Sequence, residues 1–141
     1  MRRITGWEKK LDEAIATAEN RRFKWGTFDC ALFVCDCVLA MTGVDLAQDF
    51  RGTYQTGKEA LKVIKAFAGS SLEALAVKIA EANGISEIPV SFASRGDVVL
   101  IKQEKAPDAL GIVGTDARFA CCASEGLAFI PISNWKRAWR I

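Results

Sequence analysis

The chain has 141 residues, half of them hydrophobic, with 19 basic and 17 acidic side chains, 5 cysteines and no histidine. That length suits a single domain spanning 1–141 with its own core, and a formal charge of +2 without a basic stripe argues against nucleic-acid binding. The longest apolar run, 30–41, is too short to cross a membrane and is broken by Asp36, so direct membrane insertion is not expected.

Ile4, Trp7, Leu11, Ile15 and Ala18 recur at helical spacing with charges between them, which predicts an amphipathic helix over 4–20. Met1-Arg2-Arg3 is basic, but no apolar stretch follows. No signal peptide is expected, and the protein reads as made in the cytoplasm. Phe23-Lys24-Trp25-Gly26 is a short aromatic connection in which Gly26 permits a turn. Asp29 is expected to cap a second helix from Cys30 to about Met41, and Gly43 to stop it. That helix is apolar nearly all round, with Asp36 its one strongly polar point, so it belongs at the centre of the domain.

Asp45 to Thr56 reads as a loop. A helical region over about 56–84 follows. Its first helix ends at Ala68 and is expected to make contacts through Leu61, Ile64, the stem of Lys65 and Phe67. Ser70 and Glu73 have capping-box spacing ahead of a helix with Leu72, Leu75, Ala76 and Ile79 on one face. Asn83-Gly84 closes it.

The pattern then becomes short strands: Val98–Ile101, Leu110–Val113, Arg118–Ala123 and Leu127–Ile132, with turns at Ser94–Asp97, Thr115-Asp116 and Glu125-Gly126. Their close spacing predicts an antiparallel meander, with Ala138–Ile141 pairing at an edge. Helices first and strands second give an α+β class.

Cys30 carries the chemical question. A cysteine in the first turn of a helix faces partial positive charge, which is expected to lower its pKa, and nearby N–H groups suit an oxyanion. The usual base for such a nucleophile is missing, since the chain has no imidazole. Asp108, Asp116 and Glu125 are the carboxylates expected nearby, and a carboxylate raises a thiol's pKa. Lys102 or Lys105 would need a strongly depressed pKa to act as base. Cys35, Cys37, Cys121 and Cys122 read as buried and inert. Adjacent Cys121 and Cys122 must face opposite sides of a strand. With no C-x-x-C spacing and no histidine, neither a metal nor a cofactor is expected.

Asp29-Cys30-Ala31-Leu32-Phe33-Val34 resembles the Asp-Cys-Ser-x-Phe-Val signature of NlpC-type cell-wall endopeptidases. Arg95-Gly96-Asp97-Val98-Val99-Leu100-Ile101 resembles their Pro-Gly-Asp-Leu-Val-Phe-Phe strand, and Leu110-Gly111-Ile112-Val113-Gly114 the strand after it. The resemblance implies a papain-like (NlpC-like) single domain: N-terminal helices with a central buried helix, a helical insert at about 56–84, then the meander. In the active peptidases the second strand opens with the catalytic histidine. Here that position is Ala109, so the resemblance implies a vestigial nucleophile position at Cys30 and a substituted base.

Over nearly its full length the chain resembles a family of small proteins encoded in the tail modules of tailed phages and prophages. The shared residues are Trp25-Gly26 through Val34, Thr42-Gly43-Val44-Asp45, Arg51-Gly52-Thr53-Tyr54 and the terminal Ala138-Trp139-Arg140. This resemblance implies synthesis in the host cytoplasm, residence in the virion tail tip, and contact with other tail-tip proteins of hub or baseplate-like kind. Trp25, Tyr54, Trp135 and Trp139 are expected as exposed interface anchors, because binding hot spots favour Trp and Tyr; each one singly also fits a core. Arg51 and Arg140 are read as solvated surface. The alternative is an active cysteine peptidase or amidase that opens peptidoglycan peptides during DNA entry with Cys30 as nucleophile.

Overall fold

The computed structural model describes residues 1–115, 119–123, 125–130 and 135–141, the side chains of Phe119 and Ile130 excepted. The helices are α1 (Trp7–Glu19), α2 (Cys30–Thr42), α3 (Gly57–Ala68) and α4 (Leu72–Ala82). The strands are β1 (Ser86–Ile88), β2 (Val98–Ile101), β3 (Ala109–Val113), β4 (Phe119–Ala123), β5 (Gly126–Ile130) and β6 (Trp135–Arg140). A 3-10 turn, Val90–Phe92, joins β1 to the approach of β2. The six strands form one antiparallel sheet in the order β1-β6-β2-β3-β4-β5. The class is α+β.

The helix ends follow local chemistry. Asp29 caps α2 by accepting from the Leu32 N–H at 3.0 Å, and Gly43 stops it in the left-handed region at φ 79°. Thr56 caps α3 and Ser71 caps α4. The expected Ser70–Glu73 capping box is therefore displaced by one residue: the Ser71 hydroxyl accepts from the Ala74 N–H at 3.2 Å.

α2 lies at the centre, with Leu32, Phe33, Val34, Cys37, Val38 and Met41 buried. Its polar Asp36 is half-buried and paired with Arg51 at 2.8 Å and Arg21 at 3.4 Å. Arg51 also holds Asp45 at 2.9 Å, so it is an ion-pair hub, not the solvated residue expected.

Every residue of β2 and β3 is buried because both faces of the sheet are covered. α1 and α2 cover Val98, Leu100, Leu110, Ile112 and Cys122. The other face gathers Val99, Ile101, Ala109, Val113, Cys121, Trp135 and Ala138 with Ile88, Val90 and Ala93. Cys121 and Cys122 thus enter different clusters, as strand alternation requires.

The sheet corrects one expectation. The meander β2–β5 is present, with β3 beginning at Ala109. The C-terminal segment, however, is no edge. β6 lies between β1 and β2, with Trp139 opposite Val98 and Glu87. Trp139 and Trp135 are buried in the clusters on the two opposite faces of the sheet. On α3 the expected contact residue Leu61 is exposed and Ala60 is buried, while Phe67 makes its expected contact, packing edge-on against Phe50 with ring centroids 4.9 Å apart. The expected strand residues Arg118, Pro131 and Ile132, and the Asp116 turn, lie outside the described residues.

Asp97, fully buried at the head of β2, joins the two ends of the chain. It accepts from Arg3 at 2.8 Å, from the Ser94 N–H at 2.9 Å, and from Arg140 and the Ile141 N–H at 3.4 Å. Arg140 is therefore a structural partner and not merely solvated. Arg95 pairs with Asp12 at 2.7 Å. Among the described residues, no helix is long and apolar enough to cross a membrane.

Candidate functional site

The head of α2 is built around one carboxylate. Asp29 is 2% exposed; its Oδ1 caps the helix, while its Oδ2 accepts from the Gly26 N–H at 3.1 Å and from the Tyr54 O–H at 2.5 Å. The 23–29 turn, the 45–56 loop and α2 thus converge on it. Gly26 sits at φ 80°, and a Cβ there would lie 1.9 Å from the Tyr54 carbonyl oxygen. Only glycine permits that approach. The Gly52 N–H completes the junction by donating to the Gly26 carbonyl at 2.9 Å.

Cys30 follows Asp29 and is half-buried, touching the apolar clusters on both faces of the sheet. The expected lowering of its pKa is corrected. Burial pushes the Cys30 thiol up; the backbone N–H of Leu110 opposes the rise, and the Asp29 carboxylate adds to it. Removing a thiolate from water costs more here than the nearby backbone N–H groups return.

Ala109 and Leu110, the first two residues of β3, come to this point in the fold. The Leu110 N–H lies beside the sulfur, and Ala109 belongs to the cluster that Cys30 packs against. The side chain offered at 109 is a methyl group. Asp29 already accepts three hydrogen bonds and is itself a source of the raised pKa. Asp108 is half-buried, 3.8 Å from Lys136, and Lys102, Lys105 and Glu125 are exposed. Asp116 lies outside the described residues. Among the described residues, the arrangement supplies backbone donors to a sulfur but no side chain placed to take and return its proton.

The other thiols are free. Burial pushes Cys35, Cys121 and Cys122 up to about 12, and raises Cys37 as well. No group of three or more cysteine or carboxylate side chains is placed to hold a metal ion, among the described residues.

The four aromatics expected as exposed anchors separate. Trp25 is 39% exposed, while Tyr54, Trp135 and Trp139 are buried. Burial takes those three faces away from any partner. Tyr54 instead supports the Cys30 loop through Asp29, a role that sequence reading missed. Its signal was faint: an Arg-Gly-Thr-Tyr run at a loop end, 25 residues from the carboxylate it serves.

No curated protein matches the chain. The match to a family is nearly complete in length, from residue 2 to residue 141, and the chain belongs to that family, described as a domain of unknown function (DUF6950).

Proposed function

We propose that the chain is a non-catalytic, peptidase-like component of a tailed-phage tail tip, retained for its surfaces in tail assembly or host attachment. The observation that carries this reading is the setting of Cys30: a cysteine at the head of α2, packed against the cluster that holds Ala109 at the start of β3, in a chain without histidine. Acyl transfer to or from a thiol needs a group that removes its proton and delivers one to the leaving amine. A methyl group at 109 does neither.

A papain-like assignment is supported by the order of parts. A cysteine heads the central helix, a helical insert (α3–α4) follows, and the next antiparallel strands bring residues 109–110 beside the sulfur. The tail assignment rests on the ordered motifs from Trp25 to Trp139.

Two measurements test the reading. Purified protein, alone and mixed with tail proteins, is incubated with peptidoglycan stem peptides. No cleavage is expected. Cleavage abolished by Cys30→Ser would instead establish a cysteine peptidase or amidase. Separately, mass spectrometry of purified tailed particles is expected to find the chain, and deleting its gene is expected to leave particles with defective tips. Particles that lack the chain and infect normally without it would remove the tail role.

A further inference from the structure

Several cations of this molecule are held by acids: half-buried Arg95 by Asp12 at 2.7 Å, half-buried Arg137 by Glu87 at 2.6 Å, and exposed Lys136 by Glu73 at 2.8 Å. α3 is different. Lys58, Lys62 and Lys65 are all exposed, and none has an ion pair among the described residues. Spaced i, i+4 and i+7, they share one side of the helix. Glu59, the one acid of α3, is half-buried, and its Oε2 is fully buried. Beside the lysines lie two exposed apolar groups. Leu61 is 55% exposed. Trp25 is 39% exposed, its ring so close to Gly57 that a Cβ there would lie 3.0 Å from Cζ2.

We propose that this side of α3, together with Trp25, is a docking surface for an acidic segment of a partner protein. The segment carries a row of carboxylates to meet Lys58, Lys62 and Lys65, flanked by an apolar side chain that covers Leu61 and Trp25. The lysines fix sign and register, and the tryptophan and leucine supply the buried area. An anionic membrane fits less well. A helix lying in a membrane interface buries a central apolar strip between basic flanks. Here the lysines take the centre and the apolar groups lie to one side. That the partner is a tail protein rests on the function proposed above; the chemistry of the surface does not.

The test places a photo-crosslinking residue on the surface, Leu61→p-benzoylphenylalanine, in the cell that produces the chain. The expected result is a discrete product whose partner peptide, identified by mass spectrometry, is rich in Asp and Glu. Lys58→Glu, Lys62→Glu and Lys65→Glu together are expected to reduce it at least tenfold, with unchanged circular dichroism and melting. The same probe at Ala16, exposed on α1, is expected to give no such product. No product, a product insensitive to charge reversal, or a partner segment without acids overturns the proposal. So does co-sedimentation of the purified protein with phosphatidylglycerol–phosphatidylcholine vesicles that the charge reversal abolishes, which assigns the surface to a membrane. A crosslink to an acidic segment of a non-tail protein upholds the surface and ends the tail reading. Tail particles that contain the chain without the crosslink do the reverse.

Discussion

The phenol of Tyr54 donates to Oδ2 of Asp29 at 2.5 Å, across 25 residues of chain. That bond closes the 45–56 loop onto the head of α2 and leaves Asp29 with three accepted hydrogen bonds beside Cys30. A carboxylate held this way positions a helix and is not available as a base.

Tyr54 is the only tyrosine, so its ionisation can be followed by ultraviolet absorbance. Burial, then the bond to Asp29, raises its pKa above the ordinary value of 10.0. In the folded protein no tyrosinate absorbance is expected near pH 10. The unfolded chain loses that proton near pH 10 while the folded chain keeps it. The stability contributed by Tyr54 is therefore complete below pH 10 and is lost as pH rises from there toward the folded value. Tyr54→Phe removes a hydrogen bond to a charged group and is expected to cost about 1.5–3 kcal/mol in urea denaturation at pH 7. A normal titration near pH 10 in the folded state would contradict the buried bond.

Asp97 gives a second stability prediction. Its carboxylate is fully buried between Arg3 and Arg140. Asp97→Ala leaves buried donors and the partly buried Arg3 guanidinium without their partner, which is expected to cost about 3–5 kcal/mol. Because the lost contacts hold both termini, trypsin cleavage at Arg2, Arg3 and Arg140 is expected to accelerate ahead of global unfolding. Cleavage that rises only in step with global unfolding would mean that Asp97 does not anchor the ends.

Much of this was legible in the sequence, because much of it is local. Asp29 and Gly43 bracket α2 by chemistry contained in a few residues, and the alternation of Cys121 and Cys122 follows from strand geometry alone. The parts that were not legible depend on distant pairing. β6 pairs with both β1 and β2 while Trp135 and Trp139 enter clusters on opposite faces, and nothing within Trp135–Arg140 names those distant partners. The same holds for Tyr54: its hydroxyl marks an interface residue as readily as a buried donor until Asp29 is seen opposite it. The Cys30 pKa reversed for a related reason. The helix end is visible in sequence, whereas the burial that outweighs it is assembled from both faces of the sheet.

The thiols provide a direct measure of the site. Burial raises Cys30, Cys35, Cys37, Cys121 and Cys122 alike. In native protein at pH 7, alkylation by iodoacetamide is expected to be more than about tenfold slower than for free cysteine, because little thiolate forms and access is limited. In guanidinium, all 5 should react. Cys30→Ser is expected to leave the native rate nearly unchanged. Rapid, stoichiometric labelling of Cys30 at pH 7 would show an activated nucleophile and would reverse the non-catalytic reading.

Ala109→His tests whether the position beside the sulfur is that of a missing base. Ala109 is buried, 7% exposed, so the larger ring is expected to cost about 1–3 kcal/mol by overpacking. An imidazole there can take the Cys30 proton and form a thiolate–imidazolium pair, which stabilises the thiolate. Alkylation of Cys30 is then expected to accelerate between pH 6 and 8 and to level off once the thiolate–imidazolium pair has formed, whereas the slow wild-type rate keeps rising with pH across that range. Ala109→Phe supplies a ring of comparable bulk that cannot titrate, and it is expected to lose stability without gaining reactivity. Adding Cys30→Ser to Ala109→His should abolish the gain, which assigns it to this sulfur and not to Cys121 nearby. Equal reactivity in the histidine and phenylalanine variants would mean that loosening alone exposed the thiol, and that residue 109 does not face Cys30 as a catalytic partner would.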